Sequence, residues 1–141
     1  MIALEDIQSA RERIRGRVAR TPLVSSATLS ARLGARVYLK LELFQKTGAF
    51  KVRGAFNKAL SIPEDQRRRG IVAVSGGNHA QAVAYVASQL GVRSLILMPE
   101  ATPRNYLEAA RGYGAEAKLV ASEPMSIPRP NGGATELCSS V

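Results

Sequence analysis

The chain has 141 residues, 45% hydrophobic and 22% charged, the balance of one globular domain and not of a disordered chain. Lysine and arginine number 20 against 11 acidic residues, a formal charge of +9. The arginines of residues 11–20 and Arg67-Arg68-Arg69 carry few interleaved aromatics and no zinc-ligand pairs, so they read as a solvated basic surface that steers anionic ligands, with no nucleic-acid partner. One cysteine, Cys138, excludes an internal disulfide and a cysteine-based metal cluster, and no metal site is expected. No apolar run is long enough to cross a bilayer, and the first ten residues include Glu5 and Asp6 and lack the apolar core of a signal peptide. The expectation is a cytoplasmic protein with no membrane partner.

Leu4, Ile7, Ala10 and Ile14 recur at helical spacing, which predicts an amphipathic helix over residues 5–17. Pro22 breaks the pattern, Ser25 or Ser26 can cap a short helix to Leu33, and Gly34 can end it. Val37, Leu39 and Leu41 alternate with Tyr38, Lys40 and Glu42, the pattern of a strand with two different faces. Residues 43–49 read as loop. A helix is predicted from Phe50 or Lys51 to Leu60, with Val52, Ala55, Phe56 and Ala59 on one side. Pro63 opens another short helix that Gly70 closes. Ile71-Val72-Ala73-Val74 is a continuous apolar run, as in a fully buried parallel strand. A strong helix follows, with Ala80, Val83, Ala84, Ala87 and Leu90 on one face and Gly91 as its stop. Residues 94–98 form the next buried strand. Thr102-Pro103 reads as cap and first residue of a helix to about Tyr113, and residues 115–120 form a further strand. Strand, helix, strand, helix, strand between Ile71 and Val120 implies an α/β fold, an open parallel sheet with flanking helices and right-handed crossovers. Residues 121–141, with Pro124, Pro128, Pro130, Gly132 and Gly133, show no apolar period and are expected to be an irregular tail.

Two stretches carry chemistry. Gln45-Lys46-Thr47-Gly48-Ala49-Phe50-Lys51 puts a lysine at a helix start, where the partial positive charge of free N–H groups mildly disfavours a cation. Gly48 allows a tight turn and close approach of a flat ligand, Phe50 offers a ring, and Lys51 offers an amine that becomes nucleophilic when a pocket lowers its pKa. A solvated surface lysine beside a core phenylalanine is the competing reading. Ser75-Gly76-Gly77-Asn78-His79 follows a buried strand and opens a helix, where ligands of parallel sheets bind. Its glycines permit close backbone approach, and helix-start N–H groups can hold a carboxylate or phosphate. An ordinary strand-to-helix turn with Asn78 as N-cap competes with that reading. A Rossmann loop fits worse, because its three-glycine spacing is absent. His79, the single histidine, has no carboxylate among its sequence neighbours and reads as a hydrogen-bonding or packing residue.

Taken together, Lys40-Leu41-Glu42, Gln45, Thr47-Gly48-Ala49-Phe50-Lys51, Arg53-Gly54-Ala55 and Ser75-Gly76-Gly77-Asn78-His79-Ala80-Gln81 resemble the fold-type II pyridoxal-phosphate enzymes. They look like the threonine/serine dehydratase branch, which is similar to serine racemase; Arg20-Thr21-Pro22-Leu23 and Met98-Pro99-Glu100-Ala101-Thr102-Pro103 share that likeness. The resemblance implies pyridoxal 5'-phosphate as cofactor, joined to Lys51 as a Schiff base, with Lys51 later moving the substrate α-proton. It implies that Phe50 packs on the cofactor ring and that Asn78 hydrogen-bonds its phenolic oxygen. Ser75, Gly77, Asn78 and His79 then form the loop that clamps the carboxylate of a small amino-acid substrate. The implied reaction is β-elimination of water from L-threonine or L-serine, yielding a 2-oxo acid and ammonia, in a protein compatible with homo-oligomeric assembly. Gly76 stands where racemases of the group can carry a second serine, which favours elimination over a racemase-like activity.

The resemblance ends near Val120. The family's glycine-rich phosphate loop lies further on, and Asn131-Gly132-Gly133 is not a convincing substitute. The expected organisation is residues 1–45 as a segment of the family's larger domain, residues 46–120 as a small α/β domain with the lysine and the substrate loop, and residues 121–141 as an unrelated tail. The chain reads as a truncated or frame-shifted form, possessing one wall of the site and expected to be inactive alone. The alternative is a non-catalytic α/β fragment that binds an anionic metabolite or a partner protein.

Overall fold

The computed structural model describes residues 1–121 and the pair Thr135–Glu136. The N-terminal part is lightly built. Helix α1, Leu4–Arg13, stops short of the 5–17 span because the chain turns at Gly16, whose φ is 74°. Its apolar stripe is open to solvent at Leu4 and Ile7, and only Ile14, just past its end, joins the core. Strands β1, Leu23–Ser25, and β2, Tyr38–Lys40, pair antiparallel, with every residue of both exposed. The two different faces expected of β2 are therefore both uncovered. Between the strands lies α2, Ala27–Leu33; the Ser26 hydroxyl accepts the Leu29 N–H at 3.3 Å, and a left-handed Gly34 ends the helix. The strand expected over residues 37–42 ends at Lys40, and Glu42 opens the first of two 3-10 turns, Glu42–Phe44 and Lys46–Gly48, that run through the stretch expected as loop.

From Lys51 onward the chain builds a core. Helix α3, Lys51–Ser61, buries Val52, Ala55, Phe56 and Ala59, the stripe its apolar spacing defines. Short helix α4, Glu64–Arg67, leads to strand β3, Ile71–Val74. Helix α5, Asn78–Leu90, buries Ala80, Ala82, Val83, Ala84, Val86 and Ala87, a wider face than one stripe, because α3 and α6 both pack against it. Strand β4 is Ser94–Pro99, α6 is Arg104–Gly112 and β5 is Glu116–Val120. Pro63 and Pro103 hold the N-cap positions of α4 and α6, with extended ψ of 143° and 137°, and are not the first helical residues. Tyr85 ties the helices together, meeting Phe56 edge-on at 6.2 Å and Tyr113 at 5.4 Å between ring centroids.

The sheet order is β5-β4-β3-β6, with every pair parallel, as the alternation of strands and helices implies. Ile71, Ala73, Ile96 and Met98 face the helices and are buried, whereas Val72, Val74, Leu95 and Leu97 are only half-buried. This corrects the expectation of strands buried on both faces: the described residues cover the second face in part. Strand β6, Thr135–Glu136, lies beside Ile71 and Val72. No element was expected there, since two residues are too few to display a period. The remainder of the tail lies outside the described residues.

Candidate active site

Lys51 is delivered by a turn anchored from behind. The buried Gln45 carboxamide accepts the Ala19 N–H at 2.8 Å and the Lys46 N–H at 3.0 Å, and donates to the Ala19 carbonyl at 2.8 Å. Thr47 and Gly48 then adopt left-handed φ of 65° and 68° in succession. A β-branched residue rarely adopts this conformation, at a cost of roughly 1–2 kcal/mol, and such strain persists where the surroundings impose it. The Thr47 hydroxyl oxygen is also buried without a hydrogen-bond partner. Phe50 becomes the N-cap of α3 and Lys51 its first residue, with no acidic side chain in that first turn. The half-buried Lys51 places Nζ 5.4 Å from the centroid of the Phe50 ring, which is itself 58% exposed. The competing picture of Phe50 as a core residue therefore fails.

Two residues on, Arg53 braces the same helix to the N-terminal segment. Its guanidinium donates to both Glu42 carboxylate oxygens, at 2.9 and 2.8 Å, and to the Ala19 carbonyl at 3.1 Å. Thr21 donates its hydroxyl to Glu42, and Lys40 Nζ donates to the Thr21 carbonyl at 2.6 Å. The Arg53 hydrogen bonds lower the Glu42 pKa from 4.5 to about 2; burial opposes the shift, and the Thr21 hydroxyl and the charges of Arg53 and Lys40 add to it. Sequence reasoning placed Glu42 on one face of a strand and did not pair it with Thr21 or Arg53. The signal was an acid and an arginine flanking Lys51, but their separation in sequence gives no periodic cue to the pairing.

The second stretch lies at the carboxyl end of β3. Ser75 donates its N–H to the Leu97 carbonyl at 3.0 Å, and its hydroxyl accepts the Gly77 N–H at 3.3 Å. Gly77, not Asn78, is the N-cap of α5, and no side chain caps it. Asn78 is the exposed first helical residue, and His79 is half-buried and engaged with a neighbouring group. A Cβ added at Gly77 or at Gly48 would meet nothing within 4 Å, so both glycines border open space. The Lys46–Gly48 turn that delivers Lys51 packs against α5, the helix this loop opens, and α3 packs on α5 as well. A separate cleft of about 550 Å³ lies between α1 and Arg53 and includes neither Lys51 nor the 75–79 loop.

Comparison with known proteins points to one class. Residues 14–137 match the family described as pyridoxal-phosphate dependent enzyme, and the chain belongs to that family. The match runs beyond Val120, where the sequence resemblance was expected to stop. The L-threonine ammonia-lyase of Thermotoga maritima is 45% identical over 119 residues, 84% of this chain and 30% of that protein. Among solved structures, maize serine racemase superposes with a TM-score of 0.80 at 36% identity, covering 86% of this chain and 37% of that one. The T.th. threonine deaminase superposes with a TM-score of 0.73 at 46% identity, covering 89% of this chain and 38% of that one. The chain thus spans about a third of the length of the relatives it matches.

The residues present fit the ring and aldehyde of pyridoxal phosphate. There is an amine at Lys51, an exposed ring at Phe50, and open backbone at Gly48 and Gly77. No holder for the phosphate is identified among the described residues, and Asn131-Gly132-Gly133 lies outside them.

Proposed function

We propose that this chain carries the lysine-and-loop half of a dehydratase site acting on L-threonine or L-serine. The observation that carries the reading is Lys51, placed at the start of α3 by a strained turn, with its amine over an exposed aromatic ring. Bound there, pyridoxal phosphate supplies an electron sink conjugated to the substrate Cα. Lys51 Nζ would hold the cofactor and, as a free amine beside Cα, would take the α-proton as general base. Phe50 would cover one side of the ring, and Asn78 would hydrogen-bond the phenolic oxygen. Ser75, Gly77, Asn78 and His79, with the N–H groups at the start of α5, hold the substrate carboxylate. The α-proton and the β-hydroxyl leave as water, and hydrolysis yields a 2-oxo acid and ammonia. Gly76 has no side chain to return a proton, which favours elimination over the racemisation named for the maize neighbour. Residues 46–120 are proposed as the small α/β domain with the lysine and the substrate loop, and residues 1–45 as a segment of the family's larger domain. A cytoplasmic setting and homo-oligomeric assembly accompany this reading, supported by the lone Cys138 and the exposed apolar residues of the N-terminal segment.

Mixing the chain with pyridoxal phosphate tests the proposal. The expected result is a visible-edge absorbance band that shifts on adding threonine or serine and is lost in Lys51→Ala. A band equal in both proteins would leave the non-catalytic reading in its place.

A further inference from the structure

The front of the 75–79 loop is open, but its back is closed. A Cβ on Gly77 meets nothing within 4 Å, whereas one on Gly76 would meet Thr102 Oγ1 at 2.6 Å and Pro99 Cδ at 3.3 Å. The same Thr102 Oγ1 is buried and has no hydrogen-bond partner. Buried hydroxyls without partners are rare because desolvation is left uncompensated. Here the orphaned oxygen and the missing side chain mark one spot. Thr102 is also held from both sides. Its N–H donates to the Pro99 carbonyl at 2.9 Å, the neighbouring Glu100 N–H donates to the Val120 carbonyl at 3.0 Å, and Pro103 caps α6. The turn between β4 and α6 is therefore a fixed wall against which the loop rests.

We propose that Thr102 is a positioning residue that seats the Gly76 backbone and thereby holds Gly77 and the start of α5 in place. The two positions compete for one space: a side chain at 76 requires the Thr102 hydroxyl to give way. The consequence for carboxylate binding rests on the function proposed above, but the seat itself is a property of the fold and is measurable without any ligand. A roughly tenfold change in loop opening alters no global contact, so it separates positioning from mere stability.

The test compares the 141-residue chain with Gly76→Ala, Thr102→Ala, the double variant and Thr102→Ser. Gly76→Ala is expected to lower Tm by about 5 °C, and the double variant to melt above Gly76→Ala alone. If Gly76→Ala does not fold, a folded double variant supports the seat. A double variant that melts no higher than Gly76→Ala, or that also fails to fold, overturns it. In Thr102→Ala, amide hydrogen exchange at Gly76 and Gly77 is expected to quicken roughly tenfold with Tm nearly unchanged, and Thr102→Ser to restore the slow rate. Unchanged exchange in Thr102→Ala overturns the proposal. With pyridoxal phosphate present, the threonine concentration for half-response is expected to rise roughly tenfold in Thr102→Ala. Absence of any threonine response in the unaltered chain would instead count against the dehydratase reading, leaving melting and exchange to decide the seat.

Discussion

Lys51 owes its position to residues that do no chemistry themselves. Gln45 locks the turn, Thr47 accepts a left-handed backbone, and Arg53 fastens the helix through Glu42. Thr47→Gly removes the β-branched strain and is expected to raise stability by about 1 kcal/mol in chemical denaturation, with Lys51 less firmly placed. The Glu42 carboxylate offers a pH test. Its folded pKa is depressed to about 2, so its contribution is complete above the ordinary 4.5 and is lost as pH falls from there towards about 2. Glu42→Gln is expected to cost about 2 kcal/mol at neutral pH, the scale of charge-assisted hydrogen bonds in a partly buried pair. Denaturation across that pH range should show the difference from the unaltered chain shrinking as acid is added. A constant difference would contradict the assignment.

At the scale of elements, the α3–α5–α6 layer over β3 and β4 carries the stability. Phe56 is 1% exposed and meets Tyr85 edge-on, so Phe56→Ala is expected to cost about 3–5 kcal/mol by thermal or chemical melting. This layer was also the most legible part of the sequence. The stripe Val52, Ala55, Phe56 and Ala59 and the stops at Gly34 and Gly91 follow from period and glycine chemistry, and they reappear as read. Lys51 at its helix start was legible for the same reason. Elements of two or three residues, β1 and β6, were not, because their pairing is made by backbone partners far along the chain. The competing reading of Asn78 as the cap of α5 fails: Asn78 is a favoured N-cap residue, but the Gly76-Gly77 turn puts the cap at Gly77, one residue earlier. The Gly76–Thr102 contact could not be read at all, since nothing in sequence links a loop glycine to a threonine beyond the next strand.

At the scale of the molecule, the chain holds about a third of the length of its relatives. Its N-terminal segment leaves Val24 and its cross-strand partner Leu39 exposed, together with Leu23, Leu43 and Phe44. These apolar side chains, on the β1–β2 pair and the turn after it, form the surface proposed for association. Dye binding and concentration-dependent self-association are expected, and Leu39→Lys should reduce both in fluorescence titration and sedimentation. The face with Lys51 and the open glycines is proposed as the catalytic wall. The most direct measurement of that claim is reductive trapping: the chain is incubated with pyridoxal phosphate, treated with borohydride and mapped by peptide mass. The account predicts one dominant modified site at Lys51, lost when an unreactive analogue lacking the aldehyde replaces the cofactor. Label spread evenly over the exposed lysines, with Lys51 no more reactive than Lys46 or Lys58, would contradict it.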